Sequence, residues 1–286
     1  MPSIVIPAYN ESRSIERCLR SVMADGIADL AVVVVPNACR DDTAERARRF
    51  GGGVIVVETA EGGKTNAINL GERTLRERGL DLFPRLFLDG DIELAPGTLR
   101  ALFAEAGRSG ALVVSAEPRF DTADCALGVR LHFAAERFNP YHRSTSPNGS
   151  GTYCVSREGR ARWGEFPNII ADDLFVERQF ASAERKTLLG HRAIVRVPTT
   201  MAALRGTRAR TRLGNSELLA IAPPRSDLID SMGTFRAVAF ACIVNPLLWP
   251  ALAVWMTNRI VERMQQRRVA ELHGTDRWQQ DRTSRG

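Results

Sequence analysis

Histidine is scarce, and His132, His142, His191 and His273 fall at no metal-ligand spacing, so no histidine-based metal centre is expected. The five cysteines are odd in number, scattered and without a CxxC pair. That argues against a disulfide framework and fits reduced thiols. No zinc-finger spacing and no aromatic-and-basic RNA motif accompanies the net charge of +6, so nucleic acid is not an expected partner. The positive balance, carried mostly by arginine, suits an anionic ligand or a membrane surface instead. No leader precedes the strand-like Ile4-Val5-Ile6, so a cytoplasmic location is expected, with a peripheral place at the inner face of the membrane left open. Internal repeats and low-complexity tracts are lacking. There is one long apolar run, 237–256, and Asn245, Pro246 and Pro250 interrupt it.

What is present reads as alternating strands and helices. Residues 3–7, 31–35, 54–57 and the stretch ending at Asp89 are short apolar runs without alternation, as in strands buried on both faces. Helices are expected at 12–23, at 43–50 and from Gly62-Gly63 onward. Further helices fall at 98–106, 124–137 and from Asp172, with strands at 111–116, 152–156 and 193–197 and a Pro/Ser/Gly/Asn-rich loop at 139–151. This order implies an α/β fold with a mostly parallel sheet flanked by helices. In such sheets ligands sit beyond the carboxyl ends of the strands, where Asn10, Glu11, Asn37, Asp89 and Asp91 fall. Three segments are expected: a main domain over 1–220, an apolar and basic helical appendage over 221–268, and a polar tail over 269–286. The run 237–256 suits two short apolar helices or a hairpin on a membrane surface, with a single span or a buried contact as alternatives.

Asp89-Gly90-Asp91 places two carboxylates at a strand tip. Such oxygens suit Mg²⁺ or Mn²⁺ shared with phosphate oxygens, and glycine between them permits a tight turn. Asp172-Asp173 opens a helix, where a carboxylate serves either as a helix cap or as a base. Gly62-Gly63-Lys64-Thr65 lacks the first glycine of a P-loop, since Glu58 stands there, so an ATPase is not expected.

Val5-Ile6-Pro7-Ala8-Tyr9-Asn10-Glu11, then Gly63-Lys64-Thr65-Asn66-Ala67-Ile68-Asn69, Asp89-Gly90-Asp91 and Asp172-Asp173 together resemble the blocks of the family 2 glycosyltransferases. The resemblance covers roughly residues 3–215 and implies the GT-A fold with inverting sugar transfer from a nucleotide-diphosphate sugar, a UDP-sugar being favoured. It further implies Asp173 as general base with Asp172 beside it. Asp91, with Asp89, would hold Mn²⁺ or Mg²⁺. Pro7, Ala8, Tyr9, Glu11, Asn37, Lys64, Asp89, Gly90 and Asp91 would line the donor nucleotide. Asn37 stands where many relatives have Asp, which leaves the base identity open. Asn148, Gly149, Ser150 and Gly151 would meet the acceptor or donor sugar, or else form a turn. Arg208 and Arg212 are candidates for the diphosphate or an anionic acceptor, or for a solvated basic surface. No Trp follows them as in polymer-forming relatives, which argues against a processive synthase. The acceptor class stays open among carbohydrate, lipid-linked and small-molecule hydroxyls. The alternatives are a sugar-phosphate nucleotidyltransferase, disfavoured by the missing Gly-rich loop after the first strand, and a non-catalytic scaffold.

Overall fold

The fold is a computed structural model that describes residues 1–108, 110–144, 146–221 and 231–271. The chain forms two compact units, one of Met1–Arg119 with Ser144–Val195, the other of Phe120–Arg143 with Arg196–Gly286. Residues 120–143 and 196–220, expected within a single main domain over 1–220, fall in the second unit.

The first unit begins β1 (Ser3–Ala8), α1 (Ile15–Met23), β2 (Ala31–Pro36), α2 (Thr43–Arg48), β3 (Val54–Val56), α3 (Lys64–Glu77) and β4 (Arg85–Leu88). It continues β5 (Glu93–Leu94), α4 (Thr98–Glu105) and β6 (Val113–Asp121). In the second unit lie α5 (Leu127–Glu136) and α6 (Tyr141–Ser144). The chain returns to the first through β7 (Thr152–Val155), α7 (Arg157–Arg160), α8 (Asp172–Glu177) and β8 (Arg185–Arg196). The sheet order is β3-β2-β1-β4-β7-β6-β8-β5. β1 pairs in parallel with β2 and β4, and β2 with β3. Every residue of β1, β2 and β4 is buried, because helices cover both faces of the parallel part. β7 then runs antiparallel to β4, and this register sets the site: Thr152, the first residue of β7, pairs with Leu88, the last of β4. The loop entering β7 is thereby brought to the end where Asp89 leaves β4.

Helix α3 lies tight on the sheet because Gly71 has no side chain. A Cβ there would stand 2.6 Å from Val5 Cγ1 and 3.2 Å from Val35 Cγ2. Alanine would gain about 1 kcal/mol of helix propensity. Overpacking a core costs about 1–3 kcal/mol, and both neighbours are β-branched residues on buried strands. The clash wins, so Gly71→Ala is expected to lower stability by up to about 2 kcal/mol in urea denaturation. The same helix is fixed from a second direction. Glu72, fully buried, accepts from Arg85 Nη1 of β4 at 2.6 Å and from Arg160 Nη2 of α7 at 2.6 Å.

The second unit is helical: α5, α6, α9 (Met201–Ile221), α10 (Ser231–Ile243) and α11 (Trp249–Glu271). Ala135, Val238, Cys242, Ala251 and Trp255 form one apolar cluster, and Val129, Phe133, Val197 and Leu204 another. Two buried glutamates tie the helices together. Glu136 accepts from Trp255 Nε1 at 2.6 Å. Glu262 pairs with Arg208 at 2.8 Å and Arg212 at 2.7 Å. His132 is fully buried, and burial together with nearby Arg208 lowers its ring pKa to about 4, so it is neutral.

The apolar run divides into two helices, and Asn245 does the dividing. Its side chain accepts from Leu247 N at 3.2 Å, capping a short turn over Pro246–Leu248. Among the described residues no helix is long and apolar enough to cross a membrane. The tail expected over 269–286 lies, from 272 on, outside the described residues.

Candidate active site

Parallel strands β1 and β4 end side by side and deliver Tyr9–Glu11 and Asp89–Asp91 to one edge. Gly90 allows the close approach of these two turns. A Cβ there would meet Glu11 Cγ at 3.3 Å and Ala8 Cβ at 3.4 Å. Across the sheet, Phe87 and Tyr153 are paired by register and stacked at 5.0 Å. The Tyr153 hydroxyl donates to Asp172 Oδ2 at 3.3 Å, which ties the start of α8 to β7.

The centre of the arrangement is Lys64, one of two lysines in the chain. It is the first residue of α3, and Gly63 before it has φ 132. Its ammonium lies 2.7 Å from Asp89 Oδ1 and 3.0 Å from Asp172 Oδ1. Strand β4 and helix α8, more than eighty residues apart in sequence, are thus joined through one nitrogen. Burial alone would drive Lys64 toward neutrality, but Asp172, Asp89 and Asp173 more than offset this and keep it charged. One ammonium cannot satisfy three acids. Burial pushes the Asp89 carboxyl up to about 6 against the pull of Lys64. Burial likewise raises Asp172 and Asp173. Asp172 is 2% exposed and engaged by Lys64 and Tyr153. Asp173 is half-buried, and its Oδ1 accepts from Leu174 N at 2.8 Å. It is the more reachable carboxylate of the pair.

Other expected residues take positions that bear on their roles. Asn37 is 2% exposed and spends its side chain on the backbone: Nδ2 donates to Ala8 O at 2.8 Å and Oδ1 accepts from Gly63 N at 3.1 Å. It staples the turn after β1 to the start of α3 and so helps place Lys64. Glu11 is 4% exposed and accepts from Ser14 Oγ at 2.6 Å, while its own N–H donates to Thr43 Oγ1. Pro7 and Ala8 are buried at the strand end, and Tyr9 and Asp91 are half-exposed. Asn148 is buried and donates from Nδ2 to Ala116 O at 2.9 Å. Ser150 is buried and Gly149 exposed. Gly151 has φ +67, its carbonyl accepts from Asp89 N at 2.8 Å, and a Cβ on it would meet Asp89 Oδ2 at 2.8 Å. Arg208 and Arg212 neutralise Glu262 within the second unit, which gives them a structural task that the sequence did not indicate. Tyr153 is the site residue that sequence reading missed, because only strand register reveals its neighbour.

Among the described residues no group of three or more His, Cys, Asp or Glu is arranged to enclose a metal ion. Two hard carboxylates at a strand tip, in a cluster with more acid than base, match the donor set that Mg²⁺ or Mn²⁺ shares with phosphate oxygens.

These features define an α/β protein with a cluster of acids around one lysine beyond the carboxyl ends of parallel strands. The family model for glycosyl transferase family 2 matches residues 3–158; the chain belongs to that family and is a glycosyltransferase of the GT-A fold. No curated protein sequence matches significantly. Among solved structures, the chain is similar to glucosyl-3-phosphoglycerate synthase from Mycobacterium tuberculosis in complex with Mn²⁺, UDP and glucosyl-3-phosphoglycerate. The TM-score is 0.54 and the identity 21%, over 79% of this chain and 81% of that one. It is also similar to S. aureus TarS 1-349 in complex with UDP, with a TM-score of 0.51 and 13% identity over 96% and 93% of the two chains. At such identities the likeness is one of fold.

Proposed function

We propose that this glycosyltransferase moves a sugar from a UDP-sugar to an acceptor hydroxyl in a single inverting displacement, with Asp173 as general base. One observation carries the reading: Lys64 draws Asp89 and Asp172 onto one nitrogen and leaves Asp173 beside them as the reachable carboxylate. A raised pKa makes Asp173 a stronger base than a solvated aspartate, while the Leu174 N–H holds its orientation. Asp172 positions the start of α8 through Tyr153 and Lys64. Asp91, with Asp89, would hold Mn²⁺ or Mg²⁺. When bound, the cation neutralises charge gathering on the diphosphate leaving group. UDP as the leaving group is supported by the solved synthase, whose complexes hold UDP with Mn²⁺ and UDP-glucose with Mn²⁺.

The test is thermal stability with UDP, GDP, dTDP or CDP, each with Mn²⁺, Mg²⁺ or EDTA. At a ligand concentration of 100 times Kd, binding to the native state adds about 2.7 kcal/mol. For a chain of this size that raises Tm by several degrees. UDP with Mn²⁺ is expected to give the largest rise, and Asp91→Ala to remove the metal-dependent part. A rise that is the same in EDTA and insensitive to Asp91→Ala would overturn the metal assignment; no rise with any nucleotide would overturn the donor.

A further inference from the structure

We propose that the outward faces of α10 and α11 dock this protein onto an anionic lipid surface. Helix α11 carries two apolar stripes at helical spacing. Ala251 and Trp255 face the unit's core, in line with Asn258 and Glu262. Trp249, Met256, Ile260 and Met264 recur at the same period on another face and are exposed. A helix resting against one core needs one such stripe. The second continues into the turn between the helices, where Leu247 is 88% exposed and Phe240, Ile243 and Val244 stand out from the end of α10. Most of the exposed large apolar side chains among the described residues lie between Phe240 and Met264. Nothing among the described residues covers them, and a contiguous patch of this kind marks an interaction surface.

Charge selects the partner. From Ser231 to Arg268 the sequence holds five arginines and one acid. That acid, Glu262, is fully buried against Arg208 and Arg212. Arg236 and Arg263 are exposed, and Arg259 lies over the Trp255 ring at 4.7 Å. Two copies packed on this face would set these exposed arginines against one another, while the one acid between Ser231 and Arg268 is buried. Anionic headgroups answer them directly, while Leu247 and the Trp249 ring enter the apolar boundary. The Trp249 indole N–H already donates to Ile243 O at 3.2 Å, so its ring can enter without leaving a polar group unpaired.

Flotation of the full chain with phosphatidylcholine vesicles, with and without phosphatidylglycerol, tests this. Binding is expected only with phosphatidylglycerol and is expected to fall with added salt. Leu247→Glu, alone and combined with Trp249→Glu, should weaken it tenfold or more. Arg236→Gln and Arg263→Gln should each weaken it about fivefold. All four variants should keep the wild-type melting temperature and nucleotide response, which separates lost docking from lost folding. Asp173→Asn should float like wild type, because docking does not depend on the base. Failure of the wild-type chain to float would overturn the proposal. So would equal flotation of the Leu247→Glu variant, or a concentration-dependent dimer that this variant breaks without any lipid binding.

Discussion

Asp173→Asn is expected to keep UDP binding and to lose about 10²–10⁴-fold in turnover, the usual contribution of a positioned general base. Asparagine preserves the shape and the acceptor oxygen for the Leu174 N–H but cannot take a proton. Folding should not suffer. Asp173, Asp172 and Asp89 all have raised carboxyl pKa values around a single ammonium, so deleting one negative charge relieves repulsion. UDP release, measured with an acceptor that the wild type accepts, reads the loss. The pH profile gives a second handle. The base acts deprotonated, and Asp89 must be ionised to hold a cation. Since burial pushes Asp89 up to about 6, activity should fall as pH drops through that region and level off above it. Turnover within about tenfold of wild type would move the base elsewhere, Asp172 being next in line.

Lys64→Met is expected to cost about 2–3 kcal/mol of stability near pH 8 and clearly less near pH 5. Breaking a buried ion pair commonly costs about 3–5 kcal/mol. The lower figure applies because the Asp89 side chain is a third exposed. The sign of the pH dependence follows from linkage. A carboxylate whose pKa is raised on folding holds its proton more tightly in the native state, so stability falls as pH rises from about 4 through the folded value. Removing the ammonium raises Asp89 and Asp172 further, which widens the deficit as pH rises and the acids ionise. Urea denaturation at several pH values reads this directly. A deficit independent of pH would mean that Lys64 contributes by packing rather than by charge.

The parallel core was legible in sequence because strands covered on both faces are apolar at every position, as in Ala31–Pro36. The acids at the strand and helix ends were legible for the same reason: polar residues stood out against apolar neighbours. Direction was less so. Asn37 and Glu11 have the residue types of ligand contacts, yet their side chains turn inward to Gly63, Ala8 and Ser14, and only three-dimensional register shows this. Arg208 and Arg212 read as free cations because their partner, Glu262, lies fifty residues downstream of Arg212. Strand β8 was expected only from Ala193 and starts at Arg185. Its first half mixes Arg185, Lys186, Thr187 and Gly190 with apolar residues, and a half-exposed strand of that kind has no clean alternation.

Gly151 constrains how this enzyme can be redesigned. Its backbone conformation excludes most side chains, and the space a Cβ would need is held by Asp89. Asn148 and Ser150 beside it are buried. Of the four residues at the mouth of β7, Gly149 is exposed and Gly151 half-exposed, and both hold a positive φ. A mutational library at this loop therefore has no unconstrained position: the left-handed backbone strains side chains at both 149 and 151, and at 151 any Cβ also displaces Asp89.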